Sequence, residues 1–325
     1  MKEIEMFKYA RRPLEMNSKS GDKILILADT DTDPAVWRVL MANANQMDLE
    51  PTLAIITPRE YEYADPPALV AAAIPKADLT LLCTTKAILH SPFCGKMMGE
   101  GHRLIAMEGV TSEMLIRGGC REDYPKMQKL GLKLRQIFTE GKNVHVTSDL
   151  GTDLIASIEG RPGFMAAGTA DRQPNVALFA AAFPDGECAV APVEGTGEGT
   201  IVFDTTMHYL GRLKSPLTIK VSKGKAVHFD GEQADKLKEI IDKYGDEYSY
   251  VCPAEFAIGL NSKVEVTGSI RTDKKLYGSV HMALGMNNDV GGNTASKLHI
   301  DGVIRYPNVI IDGKTIVSEG HLADI

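Results

Sequence analysis

A chain of 325 residues with 44% hydrophobic and 24% charged residues has a globular composition and enough length for two domains, which excludes the disordered, collagen-like and coiled-coil classes. Thirty-six basic residues stand against 43 acidic ones, a net charge of −7, and no basic run could neutralise a row of phosphates, so no nucleic acid partner is expected. Five cysteines without a CxxC pair argue against a disulfide framework and a thiolate zinc site, and fit a reducing cytoplasm.

Residues 1–23 are charged throughout and lack the apolar core of a signal peptide, and the longest apolar windows fall far short of the ~20 residues that a membrane span needs. A cytoplasmic protein with no membrane part is therefore expected. The first β-type run is KILILA at 23–28, followed by a helix-compatible stretch at 34–46. Short buried strands are expected at 53–56, 79–83 and 104–107, with helices at 66–73 and 111–117. This βαβ rhythm predicts an α/β domain with a mainly parallel sheet flanked by helices. Asp29, Thr30, Asp31, Thr32 and Asp33 form a loop rich in N-cap residues where open α/β sheets place ligands, and helix capping alone would equally explain it. No GxGxxG follows the first strand, so a dinucleotide fold is not supported.

Residues 124–138 carry apolar positions at helical spacing and the pattern stops at Gly141, where the character of the sequence changes. The expected division is an N-terminal α/β domain at 1–142 and a C-terminal metal-binding catalytic domain at 143–325. From residue 144 onward short β-type runs follow one another, with hairpin turns at Gly224-Lys225 and Asp312-Gly313 and one amphipathic helix at 232–244. The second domain is thus expected to be mixed, β-rich and of the α+β type.

Chemistry-bearing side chains gather in this last part: Glu194, Glu255, His281, His299 and Asp301, each flanked by apolar residues. Charged groups in such settings ask for a partner, and a divalent cation would supply one. In a strand His299 and Asp301 project from the same face, roughly 6–7 Å apart at ~3.3 Å per residue, which suits two ligands of one centre. Imidazoles and carboxylates without thiolate form the ligand set of Zn, Mn, Fe or Co hydrolytic and oxidative sites. A purely structural role for the H-x-D pair remains open on the residues alone. Glu198 is placed to be an alternative ligand or a proton-transfer carboxylate, with a solvated turn as its plainer role. Arg161 could clamp a substrate carboxylate or sit in a surface turn, and Asn287, Asn288 and Asn293 could reach substrate or shape a Gly-rich loop. Cys252 has no base nearby and is read as a packing residue.

The segments PVEGTGEGTIVFD, CPAEFAIGLN, GSVHMALG and LHIDGVI, in that order, resemble the metalloaminopeptidases of the aminopeptidase T group, together with a related branch of 2,5-dihydroxypyridine dioxygenases. The likeness to the peptidases implies two metal ions, Zn, Co or Mn, held by Glu194, Glu255, His281, His299 and Asp301. It also implies a homodimer and a small-molecule or peptide substrate. Where those peptidases carry a tyrosine seven residues beyond the metal-binding histidine, this chain has Asn288, an amide that keeps a hydrogen-bond donor but loses an acid. The dioxygenase branch is similar in AEFAIGLN and LHIDGVIRYPNVIIDGK and implies a single Fe(II) on two histidines and an aspartate, with a histidine where Glu255 stands. Because this chain keeps Glu255 and His281, a metallohydrolase attacking an amide carbonyl with metal-activated water is the expectation. Glu198 and Asn288 would assist it. A ring-cleaving dioxygenase is the first alternative, and a non-catalytic metal binder the second.

Overall fold

In the computed structural model, which describes residues 2–171 and 180–325, the protein is a mixed α/β chain that packs as two compact units. Among the described residues, 2–124, 166–171 and 180–185 form the first unit, and 125–165 with 186–325 the second. A single cut after residue 142 assigns the helix Tyr124–Glu140 and the strand Ala180–Ala182 differently, because the chain returns to the first unit after it has begun the second.

The first unit is built on a five-stranded parallel sheet in the order Glu50–Ile56, Lys23–Asp29, Leu79–Leu82, Leu104–Ala106, Ala180–Ala182. Strands covered on both faces read as unbroken apolar runs, and residues 24–28 are all buried. Leu25, Leu27 and Leu82 pack with Ile74, Ile88 and Met97 into one cluster. The Asp29–Asp33 loop spends its side chains on itself and its neighbours. Asp29 accepts hydrogen bonds from Thr85 N and Oγ1 (2.6 and 2.8 Å) and from Thr32 Oγ1 (3.0 Å), while Asp33 caps the helix Pro34–Gln46 through Ala35 N. The helix expected at 111–117 is instead a 3-10 turn at Glu113–Leu115 followed by another at Gly118–Arg121, since Gly118 and Gly119 break so short a segment before it can propagate.

The second unit carries two antiparallel sheets. One has eight strands, in the order Lys225–Asp230, Leu217–Ser222, Glu198–Phe203, Asp153–Ser157, Asn143–Thr147, Asn308–Ile311, Lys314–Ser318, His321–Leu322. Two of its tight turns fall at Lys223-Gly224 and Asp312-Gly313, all four residues with φ between 47° and 82°, so the first lies one residue earlier than composition placed it. The other sheet has seven strands, and its centre runs Thr206–Met207, His299–Ile304, Val280–Gly285, Phe256–Gly259, Glu187–Val190. Among the described residues, no helix is long and apolar enough to cross a membrane.

Small residues set the spacing around that second sheet. A Cβ on Gly259 would lie 2.0 Å from the Leu276 carbonyl oxygen, a backbone atom that cannot swing aside. Gly259→Ala is therefore expected to destabilise the protein by about 1–3 kcal/mol or more. Gly95→Ala, whose Cβ meets nothing within 4 Å, should be neutral or slightly stabilising, and urea titration of the two variants reads both outcomes.

Candidate metal centre

Four adjacent antiparallel strands bring one face of the seven-stranded sheet together. Ala257 pairs with both Ala189 and His281, Gly259 with Glu187, Ala283 with Asp301, and Gly285 with His299. Since side chains alternate faces with a period of two, Glu187, His281, His299 and Asp301 all project from one side. Glu255 joins them two residues before Ala257, its carbonyl accepting from Ala283 N at 3.1 Å. Around the functional side chains that face is lined mainly by small residues, Ala189, Ala257, Gly259, Ala283 and Gly285, with Val303 beside His281. The opposite face, with Phe256, Ile258, Met282, Leu284 and Ile300, is buried core.

The donor atoms converge in two groups that share one carboxylate. His299 Nε2 lies 3.2 Å from Glu255 Oε2 and 3.0 Å from Asp301 Oδ1. On the other side of Glu255, His281 Nε2 lies 3.5 Å from Glu255 Oε1 and 3.6 Å from Glu187 Oε2. Glu187, Glu255, His281 and Asp301 are buried, whereas the His299 side chain keeps 16% of its surface exposed and marks the open side. The adjacent lysines close the cluster: Lys274 Nζ pairs with Asp301 Oδ2 at 2.9 Å, and Lys275 Nζ with Glu187 Oε1 at 2.6 Å.

Two observations fit a bound cation. His299 Nδ1 lies 2.7 Å from the Met286 carbonyl oxygen, which can only accept, so the proton sits on Nδ1 and the Nε2 lone pair points at two carboxylate oxygens. Such an arrangement needs either a second proton or a metal ion between these atoms. In addition, both ring nitrogens of His281 and Glu187 Oε2 are buried without a hydrogen-bond partner.

The electrostatics follow from these contacts. Burial raises the Glu255 carboxyl, but the His281 and His299 imidazoles beside it and the charge of Lys274 outweigh it and hold it below the usual carboxylate range. Asp301 behaves alike: burial raises it, and the Lys274 and His299 charges bring it well below the ordinary value. Burial lowers His299, yet Asp301 and then Glu255 hold it well above the usual histidine range. Lys274, lowered by burial, is raised well above the lysine range by Asp301, Glu187 and Glu255.

Of the residues singled out from sequence, Glu255, His281, His299 and Asp301 are brought together, and the others are not. Glu194 lies outside both donor groups and instead fixes a loop. It pairs with Arg161, and it accepts from Asn287 Nδ2 at 3.0 Å and Asn293 N at 2.7 Å, while Arg161 Nη1 donates to Gly291 O at 3.0 Å. Burial raises the Glu194 carboxyl, but the Asn293 N–H and the Asn287 amide, with Arg161, lower it overall. Arg161 is accordingly a buried loop anchor. Glu198 is exposed and accepts from Lys223 N at 2.7 Å within its sheet, and Asn288 is exposed, its backbone N–H donating to Thr294 O. Cys252 is fully buried and burial raises its thiol, in keeping with packing. Sequence reasoning missed Glu187, Lys274 and Lys275. Glu187 carries the signal that found Glu255, a carboxylate opening a buried strand, ECAV, whereas two adjacent lysines read as solvated surface.

Comparison with known proteins now separates the chemistries that this donor set could serve. A family model described as NicX, 2,5-dihydroxypyridine 5,6-dioxygenase, matches residues 5–324, and the chain belongs to that family. It is 25% identical over 263 residues to the 2,5-dihydroxypyridine 5,6-dioxygenase of Pseudomonas putida, covering 76% of this chain and 71% of that one. The solved structure of 2,5-dihydroxypyridine dioxygenase from Pseudomonas putida KT2440 superposes with a TM-score of 0.83 at 19% identity, over 99% of this chain and 98% of that one. Wild-type AmpT from Thermus thermophilus superposes with a TM-score of 0.72 at 14% identity, over 99% of both chains. Both superpositions bear on fold alone.

The family match overturns the expected metallohydrolase, and with it the aminopeptidase and metalloprotease assignments; the aminopeptidase likeness is one of architecture. The reason is chemical: carboxylate and imidazole side chains such as Glu255 and His281 serve both hydrolytic ions and oxygen-activating iron, so the residue types alone do not choose between them.

Two outcomes test this geometry. In chelator-treated protein, Asp301→Ala leaves the Lys274 ammonium unpaired among buried groups and should cost about 3–5 kcal/mol in denaturant unfolding. The pH profile of the unsubstituted apoprotein should show two limbs. Glu255 and Asp301, with folded values below their ordinary 4.5 and 3.8, contribute stability above that range that is lost on acidification. His299, raised above 6.5, contributes stability below 6.5 that is lost as pH rises through its folded value. Separately, Glu194→Gln should leave bound metal unchanged while amide exchange at Asn293 and Thr294 speeds up by about tenfold or more; loss of metal would make Glu194 a ligand.

Proposed function

We propose that this protein is an Fe(II)-dependent dioxygenase that opens the ring of a hydroxylated aromatic compound of the 2,5-dihydroxypyridine type. The observation that carries the proposal is the partly open Glu255–His299–Asp301 group, backed by His281, in a chain of this family. Non-haem iron oxygenases typically hold iron on two imidazoles and one carboxylate with an open side; here His299 and Asp301 supply one of each, Glu255 stands in the third position and His281 lies behind it. Bound there, Fe(II) supplies the redox chemistry that lets a closed-shell ring react with molecular oxygen.

The chain's own residues do the rest. Met286 O fixes the tautomer and rotation of His299, so that Nε2 faces the cation position. Asp301 gives one oxygen to that position and the other to Lys274, which keeps the carboxylate ionised and its rotamer fixed. The apolar core beneath the sheet excludes water from behind the site, leaving the His299 side for substrate and oxygen.

The test is oxygen uptake by protein reconstituted anaerobically with Fe(II) and then given 2,5-dihydroxypyridine. Roughly one O2 should be consumed per substrate, with loss of the aromatic absorbance and full inhibition by an iron chelator. His299→Ala and Asp301→Ala should reduce turnover beyond the ~10–100-fold that changes outside the ligand shell cost. Turnover of substrate without oxygen, or undiminished by the chelator, would refute the proposal.

A further inference from the structure

The donor atoms around Glu255 form two groups, and either has the composition of a cation site. Three buried carboxylates, Glu187, Glu255 and Asp301, bring three negative charges to one sheet face. Two ammonium groups are already in contact with them, Lys275 on Glu187 and Lys274 on Asp301. With neutral imidazoles the cluster therefore carries a net charge of −1, and one divalent cation brings it to +1. Two would bring it to +3 among side chains that are mostly buried, and burying unbalanced charge is costly.

We infer that Lys275 is a built-in countercation that closes the Glu187–Glu255–His281 group to a second metal ion and so holds the enzyme at one. The inference rests on the proposed metal-dependent function and deepens it. Its geometry is local: the Lys275 ammonium takes Glu187 Oε1 at 2.6 Å, on the same carboxylate whose other oxygen faces His281. Lys274 treats Asp301 in the same way, taking Oδ2 and leaving Oδ1 to His299. The two pairs differ in access. Lys275 and Glu187 have side chains only 6% exposed, so the inner group is sealed, while Lys274 at 18% and His299 at 16% lie on the open side where one ion can enter.

The lysines are held there by the fold and are not drawn in from solvent. Asp273, fully buried, accepts from Thr206 Oγ1 at 2.6 Å, Gly268 N at 2.7 Å and Thr267 N at 2.8 Å, which anchors the short helix Ile270–Asp273 immediately before them. The Lys275 carbonyl in turn accepts from Asn261 N at 3.0 Å.

The experiment is equilibrium dialysis of full-length protein against Co(II) under argon, with metal analysis and calorimetry. Unsubstituted protein should bind about one equivalent, and Lys275→Met and Lys275→Gln about two, because without that ammonium both Glu187 oxygens are free to face a second ion and the doubly loaded cluster falls from +3 to +2. Lys275→Arg keeps the charge, is expected to fold, and should stay at about one. Two equivalents on the unsubstituted protein or on Lys275→Arg, or one on folded Lys275→Met and Lys275→Gln, would overturn the inference and leave the dioxygenase reading standing. No bound Co(II) on unsubstituted protein would instead remove the metal-dependent reading itself.

Discussion

Burying three carboxylates on one face of a β-sheet is the constraint around which the second unit is organised. Left unbalanced, such a face would not fold, since each unpaired charge out of water costs several kcal/mol. Balance comes from three sources at once: the imidazoles of His281 and His299, the ammonium groups of Lys274 and Lys275, and room for a cation among the remaining donors. Small residues between these groups are part of the same solution. Alanine and glycine at 189, 257, 259, 283 and 285 keep the floor of the face low enough for long polar side chains to meet over it.

A second layer of contacts fixes what the first leaves free. His299 is oriented by the Met286 carbonyl, and Met286 opens the loop that Glu194, Arg161 and Asn287 hold in place. Ligand orientation is thereby tied to a loop that begins within a few residues of the site, a common means of sharpening metal geometry. The lysine-bearing segment is anchored with equal economy by Asp273. Rigid support of this kind suits a site whose donors must not reorganise as charge arrives.

The same fold also hosts AmpT, so architecture does not choose the chemistry. In this chain the sheet face holds three carboxylates, two imidazoles and two ammonium groups, and their number and placement set its electrostatics.

Much of this was legible in the chain itself. Unbroken apolar runs such as KILILA specify a doubly covered parallel strand, and period-two alternation with a glycine turn at Asp312-Gly313 and another within one residue of its expected place at Gly224 specifies antiparallel hairpins, because local periodicity reports which faces are buried. The charged residues embedded in apolar strands, Glu255, His281, His299 and Asp301, stood out as candidates for the same reason, and the fold brings their side chains together. Only the tertiary structure decided who joins them. Strand register, set by pairing across long sequence separations, brings Glu187 to the cluster and leaves Glu194 on a loop bonded to Arg161. Lys274 and Lys275 become interior countercations although their local sequence reads as surface, since burial at that point is a property of how distant segments pack and not of the residues beside them.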